Sequence, residues 1–182
     1  MDEMRDTMGA ALAYGGYSVI STSDAELAKA QALLLKQKPL VADYTSEKAA
    51  EALKSEKAWL SNLWGGDVIQ LSLQKPEIHY VVPKEGGGLF LDTMCVTRGG
   101  AGKELAHSFI NFILEAKSGA LLSSKLRYAT PNKAALALVD PKVLRDPFVY
   151  PSWADMARLE FQNDLGKDAV AKWAKVWKTV RK

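Results

Sequence analysis

Stretches of helically spaced apolar residues alternate along this chain with short apolar runs closed by glycine or proline. That alternation narrows the possible folds more than any other feature. Met4, Met8, Ala11 and Leu12 recur at helical spacing between Asp2 and Tyr14, where Gly15-Gly16 supplies a stop. Ser23-Asp24 opens a second helix through Leu27, Ala30 and Leu34 that must finish before Pro39, and a third is expected from Ser46. The run 58–64 reads as a buried strand closed by Gly65-Gly66, after which Asp67 caps a helix from Val68 to Leu73. Strands are expected at 78–82 and 89–96, then a strong helix over 103–116. Further helices follow at 120–125, 132–138, 153–161 and 168–181, with 139–151 and its three prolines read as a surface crossing. Trp173 and Trp177, four apart, share a helix face and read as packing residues. Strands interleaved with helices make this an α/β protein.

At 182 residues, 48% apolar and 25% charged, the chain has the composition of a globular protein able to bury a core. Its apolar stretches, such as 32–35 and 109–114, fall far short of the roughly 20 residues a bilayer demands, so no membrane insertion is expected. The net charge of +3 is concentrated at the end, where Lys167, Lys172, Lys175, Lys178, Arg181 and Lys182 face a single acid, Asp168. Cations suit a helix C-terminus and no RNA-binding motif is interleaved, so a solvated face is expected and not a nucleic-acid partner. Met1 leads directly into the acidic stretch Asp2-Glu3-Met4-Arg5-Asp6, without a basic-then-apolar secretion signal in the printed chain. Either the chain is not exported or its beginning is missing.

The segment from Pro83 to Asp92 places an aromatic and a carboxylate two residues apart after the run Gly86-Gly87-Gly88. Residues i and i+2 of an extended chain point to one face, so Phe90 and Asp92 could offer a ring and an anionic oxygen to one ammonium group. The same pattern also fits a core aromatic followed by a strand-end cap. Catalytic and metal chemistry find less support. Cys95, the only cysteine, lies mid-strand between Met94 and Val96, where it reads as a small core hydrophobe and not as a nucleophile served by His79 or His107. The histidines have no metal-ligand spacing with each other or with Cys95. The glycine run lacks the Lys-Ser/Thr of a phosphate loop and enters a strand. No enzyme activity, metal or cofactor is expected.

Several segments, in order, resemble the polyamine-binding family of periplasmic substrate-binding proteins, the spermidine/putrescine receptors of ABC importers. They are Asp2-Glu3-Met4-Arg5-Asp6, Gly16-Tyr17-Ser18, Asn62-Leu63-Trp64-Gly65-Gly66-Asp67, Pro83-Lys84-Glu85-Gly86, Phe90-Leu91-Asp92, Phe109-Ile110-Asn111-Phe112, Tyr128-Ala129-Thr130-Pro131-Asn132, Tyr150-Pro151 and Phe161-Gln162-Asn163-Asp164-Leu165-Gly166. The resemblance implies a type II periplasmic binding protein fold of two α/β lobes with ligand held between them. Only the later part of that fold is matched. On this likeness residues 1–91 belong to the second lobe, 92–136 return to the first, and 137–182 recross to the second, with the earlier portion of the first lobe absent.

The resemblance further implies that Trp64 stacks on the polyamine and that Asp92 takes an amino group. Phe90 stands where a tryptophan is common, and a phenyl face holds a cation less well than an indole. Glu3 and Asp6 match two acids three apart, in reversed order, while Ser46, Tyr128 and Gln162 match hydrogen-bonding or wall positions. Other roles stay open: Glu3 and Asp6 would also suit a helix N-terminus, Trp64 a core position, and Tyr128 and Gln162 surface packing. The implied partners are a polyamine, an ABC membrane permease, and either the missing first lobe or a second copy of the chain; the implied compartment is the periplasm. Alternatives are a binding protein for another small solute on the same scaffold, or a dimerising module that has lost its ligand and exposes the apolar surface of 92–136.

Overall fold

The computed structural model describes residues 2–182 and divides the chain into two units. The first comprises Met1–Leu63, Val81–Phe90 and Trp153–Lys182; the second comprises Trp64–Tyr80 and Leu91–Ser152. These bounds differ from the segments expected at 1–91, 92–136 and 137–182, because 64–80 groups with the later residues and the second unit runs on to Ser152.

The first unit is built on α1 (Met4–Tyr14), α2 (Asp24–Gln37), the short α3 (Ala49–Lys54), α8 (Trp153–Met156) and the terminal α9 (Gly166–Arg181). Its sheet has two parallel strands, β1 (Gly87–Leu89) and β2 (Leu159–Phe161), paired Gly87 to Leu159 and Leu89 to Phe161. The apolar stripes of α1, α2 and α9 meet in one core of Met8, Leu12, Leu27, Leu34, Trp173 and Val180, as their 3.6-residue spacing requires. Trp173 is fully buried and its indole N–H donates to the Ser21 carbonyl at 3.0 Å, so its one polar atom is satisfied. Trp177 packs against the same core, edge-on to Tyr44. The six basic residues between Lys167 and Lys182 are all exposed, the solvated face expected of them.

Glycine is required where β1 meets β2. Gly86 has φ +93°, and a Cβ there would overlap the Arg158 carbonyl oxygen. At Gly88 a Cβ would lie 2.5 Å from Nε2 of Gln162.

The second unit comprises α4 (Gly65–Ser72), α5 (Lys103–Leu114), α6 (Ala116–Leu126) and α7 (Pro141–Leu144), with a 3-10 turn at Lys133–Leu138 where a helix was expected. Ile69, Ala120, Ala135, Val139, Val143 and Val149 form its core. The crossing at 139–151 is therefore not a surface meander, because its three valines are buried; Asp140 caps α7 by accepting from Lys142 N–H, and the prolines shape the turns around that core.

Three strand expectations are corrected. Residues 58–64 form no strand, and Trp59 and Leu60 are 87% and 92% exposed. Residues 78–82 are irregular, and the strand expected at 89–96 is reduced to Gly87–Leu89. Apolar, β-prone residues need a neighbouring strand to satisfy their backbone groups, and propensity cannot supply one. The 153–161 helix breaks after Met156 and gives way to β2. Cys95, read as a core residue, is exposed.

Candidate functional site

In the second unit the glycine pair Gly65-Gly66 opens α4 with Trp64 at its N-cap position, half-buried and making no side-chain capping bond. Asp67, expected to be the cap, instead sits in the first turn, where its charge suits the helix N-terminus. Its Oδ1 accepts from the Tyr128 hydroxyl at 3.3 Å. The Tyr128 ring lies so close over Gly66 that any Cβ there would enter it, which accounts for the second glycine. The first is covered by Tyr80, 3.2 Å from a Cβ built on Gly65.

Tyr128 is placed by the end of α6. Arg127 takes a left-handed φ of +61° and its N–H donates to the Ser123 carbonyl, turning the chain out of the helix. The buried Ser123 hydroxyl then donates to the Tyr128 carbonyl at 2.7 Å. That leaves Tyr150 to donate to Ser123 Oγ at 2.8 Å while accepting from Thr130 N–H at 3.2 Å. The phenol of Tyr128 is pushed up to about 12, first by burial, then by the negative charge and hydrogen bond of Asp67, with Asp92 adding to the effect. Two carboxylates, Asp67 and Asp92, therefore act on one half-buried phenol. Such a corner disfavours a further anion and favours a cation.

In the first unit Asp6, on the first turn of α1, accepts from Gln162 Nε2 at 2.7 Å in a half-buried bond. Gln162 follows β2, and its N–H extends the ladder by donating to the Leu89 carbonyl at 3.0 Å. Its amide is thus fixed by the sheet, by the missing Cβ of Gly88 and by Asp6. Arg5 braces the same region: Nη2 donates to the Asn163 carbonyl at 2.8 Å and the guanidinium lies 5.9 Å from the centre of the Trp173 ring. Glu3 occupies the N-cap position of α1, exposed and without a side-chain capping bond. The Ser46 hydroxyl donates to Asp2 and holds that carboxyl below its usual range. Phe90 is 44% exposed at the end of the first unit and Asp92 is exposed in the second, the division falling between Phe90 and Leu91.

Of the expected residues the structure joins Asp6 with Gln162 by a hydrogen bond, while Asp92 adds only the smallest of the effects on the Tyr128 phenol. Sequence reasoning missed Asp67, although its signal was present in the motif Trp64-Gly65-Gly66-Asp67. It also missed Arg5, whose partners lie far along the chain. Among the described residues no group of three His, Cys, Asp or Glu side chains is placed to hold a metal ion, and no helix is long and apolar enough to cross a membrane.

Residues 3–159 match the profile of a family described as bacterial extracellular solute-binding protein. A putrescine/cadaverine-binding protein of Pseudomonas aeruginosa is 28% identical over 187 residues, covering 100% of this chain and 53% of that protein. A spermidine/putrescine-binding periplasmic protein of Escherichia coli is 32% identical, covering 91% of this chain and 47% of that protein. Among solved structures, a Listeria monocytogenes protein described as a spermidine/putrescine ABC transporter superposes with a TM-score of 0.87 at 26% identity, covering 99% of this chain and 56% of that one. A lipoprotein of Treponema pallidum does so with a TM-score of 0.81, also at 26% identity, covering 99% of this chain and 56% of that one. The fold is that of type II periplasmic binding proteins, and the chain spans about half the length of the relatives it matches. These relatives are solute-binding proteins, not enzymes.

Proposed function

We propose, for a chain that belongs to the bacterial extracellular solute-binding protein family, the role of a solute-binding component of an ABC importer, taking putrescine- or spermidine-like cations in the periplasm and presenting them to a membrane permease. The observation that carries this reading is the corner in which Asp67 and Asp92 act on Tyr128, with the half-buried Trp64 opening the same helix that holds Asp67. In the second unit Trp64 would face the methylenes and Asp92 would take one amino group; in the first, Phe90 would offer its ring to an ammonium group. Glu3, Asp6, Ser46 and Gln162 form a second set of proposed ligand groups in the first unit, of which Asp6 and Gln162 are already joined.

The energetics favour polyamines but demand a complete site. A charge-assisted hydrogen bond contributes about 1.5–3 kcal/mol and a cation over a ring about 0.5–2 kcal/mol. Desolvating each ammonium group costs several kcal/mol, so both ends of the ligand must be satisfied together. A chain of about half a receptor's length should therefore bind weakly alone. Isothermal titration with putrescine and spermidine, on the chain alone and with the unmatched stretch of a relative supplied, is expected to give heat at least in the second case. Asp92→Asn should then weaken binding by about tenfold or more, the loss of one charged hydrogen bond. Absence of heat in both formats would sink the proposal.

A further inference from the structure

The exposed basic residues of α9 are not scattered around the helix. Trp173, Val176, Trp177 and Val180 mark the side that packs on the core of the first unit. At 3.6 residues per turn, Lys167, Lys175, Lys178 and Lys182 all fall within a sector of about 80° on the opposite side, in a stripe about 22 Å long. All four are exposed, and the one other residue in that sector, Ala171, adds only a methyl group. The remaining cations of the helix are engaged within the protein. Lys172 pairs with Asp24 at 2.8 Å, and the Arg181 guanidinium lies 5.9 Å from the centre of the Trp177 ring. Among the described residues none of the four lysines of the stripe forms an ion pair.

Helix stability does not account for this stripe. Lys178 lies three residues from Lys175 and four from Lys182, spacings at which like charges repel. Lys167 stands in the first turn, at the end of the macrodipole that disfavours a cation. We propose that the stripe docks the protein on the anionic surface of a membrane, with α9 lying along the headgroups and nothing inserted. Lysine suits such a surface because its charge is compact, hydrated and without directional demand, whereas arginine matches one particular carboxylate or phosphate, and the arginine of this helix is turned onto Trp177. A straight stripe fits a plane, and the lack of a large apolar side chain within it separates this helix from those that sink into the bilayer. Each lysine near an anionic surface strengthens the attraction by about fivefold, so four together contribute several hundredfold, or about 10² to 10³. For the role proposed above, docking would confine the search for a membrane permease to a surface. None of the proposed ligand groups belongs to the stripe, so the two readings stand or fall separately.

The test is flotation of the 182-residue chain with vesicles of phosphatidylcholine alone or mixed with phosphatidylglycerol. Partition onto the mixed vesicles is expected to be about a hundredfold stronger at about 0.1 M salt and to vanish near 1 M, where the Debye length shrinks from about 10 Å to about 3 Å. The triple variant Lys175→Gln, Lys178→Gln, Lys182→Gln should lose about a hundredfold. Removing the same charge from exposed positions elsewhere in the first unit, with Lys48→Gln, Lys57→Gln, Lys84→Gln, should change partition by less than about threefold. Glutamine is a good helix former, and circular dichroism verifies that both variants keep their helices. Equal partition onto the two kinds of vesicle would overturn the proposal. Equal losses in the two triple variants would do so as well, since net charge and not the stripe would then be responsible. Tighter binding to duplex DNA or to a polyglutamate peptide than to the mixed vesicles, at the same salt, would give the stripe to another class of partner and overturn the membrane assignment.

Discussion

Tyr128 shows how a single side chain can tie a site together. Its carbonyl is held by Ser123, its ring fills the space that Gly66 leaves, and its hydroxyl reaches Asp67, 61 positions away in sequence. Because burial and Asp67 raise its pKa from 10 to about 12, the folded state retains a proton that the unfolded chain loses. The resulting stability is fully present below pH 10 and is lost as pH rises from 10 to about 12. A spectrophotometric titration should therefore contain a tyrosine ionising near 12 that Tyr128→Phe removes, and the variant's stability should fall less steeply across that window. An identical titration in both proteins would refute the assignment. Trp64, Asp92, Tyr128, Asp6 and Gln162 could be singled out from their motifs, but the pairing of Asp6 with Gln162 could not. It depends on the β1–β2 register and on the absent side chain at Gly88.

Among the elements, helices and strands fared differently. The helices at 4–14, 24–37, 103–114 and 166–181 lie close to their expected positions, because helical hydrogen bonds join residues four apart and the apolar stripe is written in the same local stretch. The strands expected at 58–64 and 78–82 did not form, and that at 89–96 kept only its beginning. Helix α5 is well formed yet none of its residues is fully buried in this chain, Ala106, Ile110 and Ile113 being half-buried. Its apolar face should therefore contribute little here: Leu105→Ser or Phe109→Ser is expected to change the stability of the 182-residue chain by about 0.5 kcal/mol or less in urea unfolding, as at other exposed positions. A loss of several kcal/mol would mean that the face is already covered.

For the molecule as a whole, each unit has its own side-chain core, one around Trp173 and one around Ile69 and Val143. Truncating Trp173→Ala should cost about 3–5 kcal/mol through lost burial and a cavity. Hydrogen exchange is expected to accelerate in α1, α2 and α9 while the amides of α6, which pack in the other core, keep their rates; uniform acceleration would argue against two separate cores. The sequence alone determined where the four long helices run, the α/β class, the solvated basic face near the end and the family likeness, since periodicity, end signals and ordered motifs are properties of neighbouring residues. Tertiary structure decided that 139–151 is core, that Cys95 is exposed, that Asp67 meets Tyr128, and which apolar runs become strands. Each of these depends on a partner distant in sequence: a strand exists only when another backbone accepts its hydrogen bonds, and a carboxylate shifts a phenol only when the fold brings the two within reach.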